Sequence, residues 1–366
     1  MPWAAVVLTI AGAAMAAWSA AHYAPDFRDF MDGGSRFIAG TNLYGASGAF
    51  NGFIGLPFQG LFHVPVALIY RVSSSAALAV WAAINFLALV AGVRVWSRVL
   101  SVPATSPAVL TVVIAMAFPI LREFQAQNMT ALLFLFAGLS ARALSERRDG
   151  EAGAWIALGA ALKLYPGLPL AYFAARQRWR MVFSGAATLI VLSLLPVLRF
   201  GVSGFVWQCR EWLRTRQVSV WPSGFQSQSL PHVVRVLWPG DARAQAATAV
   251  FLVMVLGTMW LAWSRRKLPI KPGEEMAFAT LIGFVASPLG WICYWILAIP
   301  ALIVVARDAE RHMPSRIALA VCVLLGLVVG PAVHLRPFGE YLVIAVVSIA
   351  LLAYRLRPGA VSSVAN

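Results

Sequence analysis

Apolar residues run along this chain in long, nearly unbroken blocks, near 3–22, 57–70, 75–96, 104–121, 128–145, 152–175, 181–200, 244–264, 275–307, 315–334 and 338–354. The period-two alternation of half-buried strands is missing from these blocks, and continuous apolar runs are the wrong pattern for a transmembrane barrel. Runs of roughly 18 or more apolar residues are long enough to cross a bilayer as helices. The pattern therefore predicts an all-α, polytopic integral membrane protein.

Three blocks break the simple reading. The block 57–70 is short and contains Gln59, His63 and Pro65, which suits a re-entrant or interfacial helix better than a span. The block 275–307 is too long for one helix and divides at the Ser-Pro-Leu-Gly of 287–290. The block 152–175 has basic residues at both ends and Lys163, Pro166 and Pro169 in its middle. Proline breaks the helical ladder, and a lysine inside a membrane segment needs a polar cavity or a route to the surface. Two half-length helices that turn back together are expected there. With this broken hairpin counted as two, the chain has about twelve membrane helices. The first block lacks the positively charged start of a secretory leader and reads as a retained anchor.

Composition sharpens this picture. Hydrophobic residues make up 60% of the 366 and charged residues only 12%, against about 25% charged in soluble domains; the mean hydropathy is +0.77. The net charge of +15 does not point to nucleic acid, because Lys and Arg accumulate in the cytoplasmic connections of membrane proteins. More than half of the 29 basic residues fall in alternate short turns, around 94–98, 142–148, 176–180, 265–271, 307–316 and 355–357. These turns and both termini are expected inside. Three separated cysteines without a CxxC, and five histidines without an HxxxH, suggest neither a disulfide framework nor a metal site.

The outer side then holds the loop 23–74, the turn 122–130 and the loop 201–243, rich in Trp and Arg. Polar chemistry gathers on one side, as an interfacial enzyme requires. Asp26, Asp29 and Asp32 follow the first block directly.

Five stretches carry a resemblance. "DFRDFMDGGSRFIAGTNLY" at 26–44, "AQNMTALLFLFAGLSARA" at 126–143, "GAALKLYPGLPLAYFAARQRWR" at 159–180, and the pair "QSLPHVVRVL" at 228–237 with "SPLGWICYWILAIPAL" at 287–302 occur in the order seen in glycosyltransferase family 87. The chain resembles this group (also called DUF2029), polyprenol-phosphate-mannose-dependent mannosyltransferase-like members of the GT-C membrane glycosyltransferases. It departs from the family at Phe58-Gln59-Gly60, where relatives often have Tyr-Pro-Pro, and at Ala126, where they have Gly. It also has Cys293 and Tyr294 where one or two histidines are frequent.

The resemblance implies a single GT-C domain over 1–366, with 23–74 as a first outer loop carrying interfacial helices and 201–243 as a second large outer loop. It implies an inverting transfer of a hexose, with mannose the expected sugar, from a polyprenyl-phosphate donor to a glycolipid or glycan acceptor. The site would face outward from a bacterial cytoplasmic membrane, with the bilayer as its setting and no nucleic acid as partner. A lipid-borne donor needs no nucleotide-binding glycine motif, and none is present. No DxD metal motif stands in the loops, so neither metal nor other cofactor is expected.

In such a site a carboxylate takes the proton of the attacking hydroxyl. Asp26 matches the family's loop aspartate, with Asp29 second; either could instead cap an interfacial helix, and Asp32 reads as a solvated cap. The departing phosphate needs cations. Lys163 is the first candidate, and Arg216 and Arg235, with Arg122 and Arg214, are further ones, unless they only contact lipid headgroups. Gln127, Asn128, Gln228 and Ser229 either bind sugar hydroxyls or cap helices. Tyr294 joins Trp291 as a substrate contact, and Trp221, Trp291 and Trp295 either stack on substrate or anchor at the interface. A transporter or lipid flippase is the competing reading, weakened by acids that lie in loops and by the lack of a clear internal repeat; a structural scaffold is a third.

Overall fold

The computed structural model describes residues 24–44, 53, 55–218, 229–238, 242–287, 290–309, 312–326 and 340–355. The first apolar block, 3–22, and the expected contacts Trp221 and Gln228 lie outside the described residues. Within them the chain is helical, with no strand.

Two helices, α1 (Pro25–Ala39) and α2 (Pro57–Val72), fill the expected first outer loop and pack on each other. Gly34 permits the contact: a Cβ there would lie 2.8 Å from that of Ala67 and 3.2 Å from the His63 carbonyl. The helix α3 (Ser74–Val99) follows, capped by the Ser73 hydroxyl. Next come α4 (Pro107–Ala115), α5 (Ala117–Ala126) and α6 (Thr130–Ser145). The block 104–121, expected as one span, is bent by 55° between α4 and α5. Pro119 explains this, because its ring clashes with the carbonyl four residues back, at Ala115, where α4 ends.

The broken hairpin is present. The helix α7 (Asp149–Leu162) stops four residues before Pro166, Lys163 is extended (φ −145°, ψ 131°), and a 3₁₀ turn at Tyr165–Gly167 leads into α8 (Leu168–Ala175). The chain then returns to where it started. Arg178 pairs with Asp149 at 3.5 Å, and Ser184 donates to the Gly150 carbonyl at 2.7 Å. Ser184 lies on α9 (Trp179–Leu194), which packs closely along α7. A Cβ on Gly153 would come within 2.1 Å of the Met181 carbonyl oxygen, so this close helix contact depends on a residue without a side chain.

The block 181–200 is not one span. After Leu194 the axis turns by 90° into α10 (Val197–Val218), two helical pieces joined across a kink at Gly201 (φ 67°, ψ 175°); Pro196, which cannot continue the ladder, stands at the turn. Much of the expected outer loop 201–243 is thus helical, and it includes α11 (Leu230–Leu237). The remaining helices are α12 (Arg243–Ser264), α13 (Pro272–Val285), α14 (Ile299–Ala309), α15 (Met313–Leu324) and α16 (Glu340–Arg355). The expected division of 275–307 falls between α13 and a 3₁₀ segment, Ile292–Ala298, that runs into α14.

By length and composition, three helical stretches among the described residues can cross a membrane: Ser74–Val99, Arg243–Ser264 and Ile292–Ala309. Counting the two bent pairs raises this to five among the described residues, and the expected count of about twelve is not confirmed. The core lies around α6, α13 and the Ile292–Ala309 stretch, with Trp96, Phe134, Phe173, Phe278, Phe284 and Trp295 fully buried.

One end of this core is closed by charge. Arg176, at the end of α8, pairs with Glu275 of α13 at 2.5 Å, with both side chains buried. Its guanidinium also donates to the carbonyls of Arg265 and Leu268, and Tyr172 donates to Glu275 at 3.1 Å. Nearby in the fold, Arg307 pairs with Glu274 at 2.7 Å and donates to the Leu100 carbonyl. Removing one partner of a buried ion pair typically costs about 3–5 kcal/mol. Glu275→Ala is therefore expected to lower stability by about that amount, measured as the unfolding midpoint of purified protein in detergent, whereas an exposed control, Glu146→Ala, should leave it nearly unchanged.

Candidate active site

The opposite end of α7 carries a different polar cluster. A rise of 1.5 Å per residue over 14 residues sets Lys163 about 20 Å from Asp149. Asp26 reaches this cluster from the first turn of α1, a helix that begins at Pro25 with Ala24 as its N-cap and no side-chain cap bond. Asp26 is therefore not the capping residue.

A three-residue turn between α5 and α6 forms the centre. Gln127 sits at φ 54°, ψ 44°, a left-handed conformation that is uncommon for a residue with a side chain. Its environment holds it there. Trp81 Nε1 donates to the Gln127 carbonyl at 2.9 Å, and Asn85, one turn on along α3, donates to the Asn128 carbonyl at 2.8 Å. The Asn128 N–H closes back on the Glu123 carbonyl at 3.3 Å, and a Glu123 carboxylate oxygen receives the Ala131 N–H at 3.2 Å, capping the start of α6.

This turn aims the Asn128 side chain between two charges. Its Nδ2 donates to Asp26 Oδ2. Its Oδ1 accepts from Lys163 Nζ at 2.6 Å and from the Met129 N–H at 2.7 Å. Lys163 Nζ also donates to the Tyr294 hydroxyl at 2.7 Å and lies 4.3 Å from the centre of that ring. Tyr294 in turn stacks on Tyr165, with ring centres 5.1 Å apart. Four distant stretches of sequence thus meet around one ammonium group.

The other expected residues fall as follows. Asp29 is half-buried one turn beyond Asp26, and Asp32 pairs with Arg36 at 2.8 Å rather than capping a helix. Arg122 lies near enough to Asp26 to act on its charge and donates to Gln125 at 2.8 Å. Gln127 is buried, with Nε2 on the Phe124 carbonyl and Oε1 without a hydrogen-bond partner among the described residues. Ser229 is buried just before α11, its Cβ at 2.9 Å from where Gly290 would carry one. Trp291 is half-buried. Trp295 is fully buried edge-on against Phe284, so it is a core residue rather than an interface anchor. Arg235 lies on α11 near Arg243 of α12, and Arg214 is exposed beside Glu211. The Arg216 side chain is outside the described residues.

Glu123, Trp81, Asn85 and His63 were not legible as parts of this region. His63 is buried in α2, stacked on Phe30 at 4.6 Å, with Nδ1 on the Gln59 carbonyl. The available signal was Glu123 itself, an acid at the end of an apolar run in "LREFQAQN".

Burial pushes the Asp26 carboxyl above its usual range, against the pull of Lys163, the Asn128 hydrogen bond and Arg122. Asp29 is pushed up to about 7, by burial first and then by the charges of Asp26 and Asp32. The cluster thus offers a carboxylate of raised proton affinity and a fixed cation, joined through an amide and not in direct contact. A group whose folded-state proton affinity exceeds its unfolded one destabilises the fold as it ionises. The stability of the wild type should therefore fall, through Asp29, as pH rises from about 4 to about 7, and level off above. The stability advantage of Asp29→Asn over wild type should grow across that window and then stop growing, as read from unfolding midpoints measured at each pH.

A family model described as glycosyltransferase family 87 matches residues 53–290. A polyprenol-phosphate-mannose-dependent alpha-(1-2)-phosphatidylinositol mannoside mannosyltransferase of Mycobacterium tuberculosis is 25% identical over 325 residues, covering 84% of this chain and 75% of the relative. A protein of the same description from Mycolicibacterium smegmatis is 25% identical over 364 residues, covering 90% and 81%. No solved structure matches the chain.

Proposed function

Because the chain belongs to glycosyltransferase family 87, we propose that this integral membrane glycosyltransferase moves a hexose, specifically mannose, from a polyprenyl-phosphate donor to a glycolipid acceptor, with inversion at the anomeric carbon. The names of both relatives support the donor and the sugar, and the phosphatidylinositol mannoside in those names supports a glycolipid over a soluble glycan. The observation that carries the reading is the meeting of Asp26 and Lys163 on the two sides of Asn128.

The chemistry follows from those groups. An acceptor hydroxyl attacks the anomeric carbon from the face opposite the phosphate. Asp26 takes its proton as the new C–O bond forms and the bond to the phosphate oxygen breaks. The polyprenyl phosphate leaves as an anion, so it needs a cation more than a proton donor, and Lys163 supplies one that is already oriented. Arg235 and Arg216 are the reading's secondary cations. Gln127, Ser229 and Trp291 are its sugar contacts, with Gln127 Oε1, which has no hydrogen-bond partner among the described residues, as the first acceptor for a sugar hydroxyl.

Sidedness is part of the proposal. The basic residues Arg176, Arg178, Arg265 and Arg307 gather with their partners at the Asp149 end of the hairpin. Positive charge inside then turns the Lys163 end outward, where a bacterial cytoplasmic membrane would present a lipid-borne sugar.

The test uses membranes containing the protein, labelled polyprenyl-phosphate-mannose and an envelope lipid extract. The wild type should transfer label to lipid. Asp26→Asn should reduce transfer by about 10²–10⁴-fold at equal expression, and a chelator should leave wild-type transfer unchanged. Full activity in Asp26→Asn would move the base elsewhere, to Asp29 first.

A further inference from the structure

We infer that Asn128 is a positioning residue, a neutral spacer that holds Asp26 and Lys163 close together while keeping them from collapsing into an ion pair. The inference rests on the functional reading just given.

The amide is oriented by its neighbours. A carboxylate only accepts and an ammonium only donates, so Nδ2 must face Asp26 and Oδ1 must face Lys163, as they do. The amide cannot turn over, because Oδ1 also receives the Met129 N–H at 2.7 Å. Nor can its backbone shift easily: the Asn128 carbonyl is held by Asn85, and its N–H by the Glu123 carbonyl. Tyr294 holds the ammonium from the far side. Asp26 makes no direct ion pair among the described residues, although an acid and a lysine lie within reach of the same side chain.

That separation has a chemical consequence. A direct contact would stabilise the carboxylate, weaken it as a base and occupy the cation that the departing phosphate requires. The amide passes on part of the polarisation and keeps both groups in register. It also accounts for the side chain's heteroatoms, which are engaged within the protein before any sugar arrives. The other ionisable groups facing Asp26 are Arg122 and Glu123 from α5, Cys293 from the 3₁₀ segment and Asp29 on its own helix.

The experiment titrates Asp26 directly, by infrared spectroscopy of the full chain in lipid nanodiscs labelled with ¹³C-aspartate, the Asp26 band being identified by its loss in Asp26→Asn. In Asn128→Ala the ammonium should close on the carboxylate and lower the titration midpoint by about 1–3 pH units. In a Lys163→Met background the same substitution should no longer lower it. Asn128→Asp keeps the side-chain shape and places a second carboxylate against the first, so the midpoint of Asp26 should rise. An unchanged or raised midpoint in Asn128→Ala, or an unchanged one in Asn128→Asp, overturns the inference. These readings do not use transfer. A wild type that titrates as expected but moves no mannose would sink the functional reading and leave the spacer standing; the converse result would do the opposite.

Discussion

An ammonium group at the end of an apolar helix keeps its charge only if fixed partners replace the water it has left. Lys163 is in that position, and much of the fold is organised around meeting its demand. Pro166 ends α7 at Leu162 and leaves Lys163 extended, so its side chain leaves the helix surface and enters the space between elements. Tyr294 arrives from the 3₁₀ segment after α13, and Asn128 from the turn between α5 and α6. Asp26 then completes the chain from α1. No local rule of helix formation would bring these four together.

The hairpin that carries Lys163 is held from its other end. Its returning limb finishes at Arg176, whose guanidinium spans Glu275 and two carbonyls of the turn before α13. A buried pair of this kind is weak support for stability when compared with a well-packed apolar substitute, yet costly to break. Its clearer consequence here is registry, because a hairpin pinned at Arg176 and Asp149 has a fixed height. The close contact at Gly153 sets how deeply α9 packs beside it. The tip is therefore placed by contacts about 20 Å away, with only a short 3₁₀ turn to adjust.

The parts legible in the sequence were those with local causes. A proline next to a lysine in an apolar block announces a break and a polar pocket, and the hairpin is found where 152–175 implied it. The aspartates were visible because charge is scarce. Pro119 and Pro196 act through the same steric rule, but hydropathy blocks pass over a single proline, and two bent helices were read as straight spans. Asn85 and Trp81 were illegible for a different reason. A polar residue in an apolar run has no partner in its own sequence window, and each finds one only through packing: Asn85 and Trp81 through carbonyls of a turn some forty residues away. Trp295 shows the reverse error, since an aromatic near a proposed interface proved to be core.

The departure at 293–294 from the resembled family can now be placed. At the place where the resemblance implies histidine, Tyr294 contributes a hydroxyl and a ring face to Lys163. A phenol is neutral at pH 7 and does not exchange protons there as an imidazole does. A reaction that had to protonate its leaving group would suffer from that exchange of side chains. A phosphate leaves already charged, and what it requires is a cation that stays put. Tyrosine can hold that cation by hydrogen bond and by ring, so in the function proposed above the substitution changes how the lysine is supported and leaves intact what the lysine would supply.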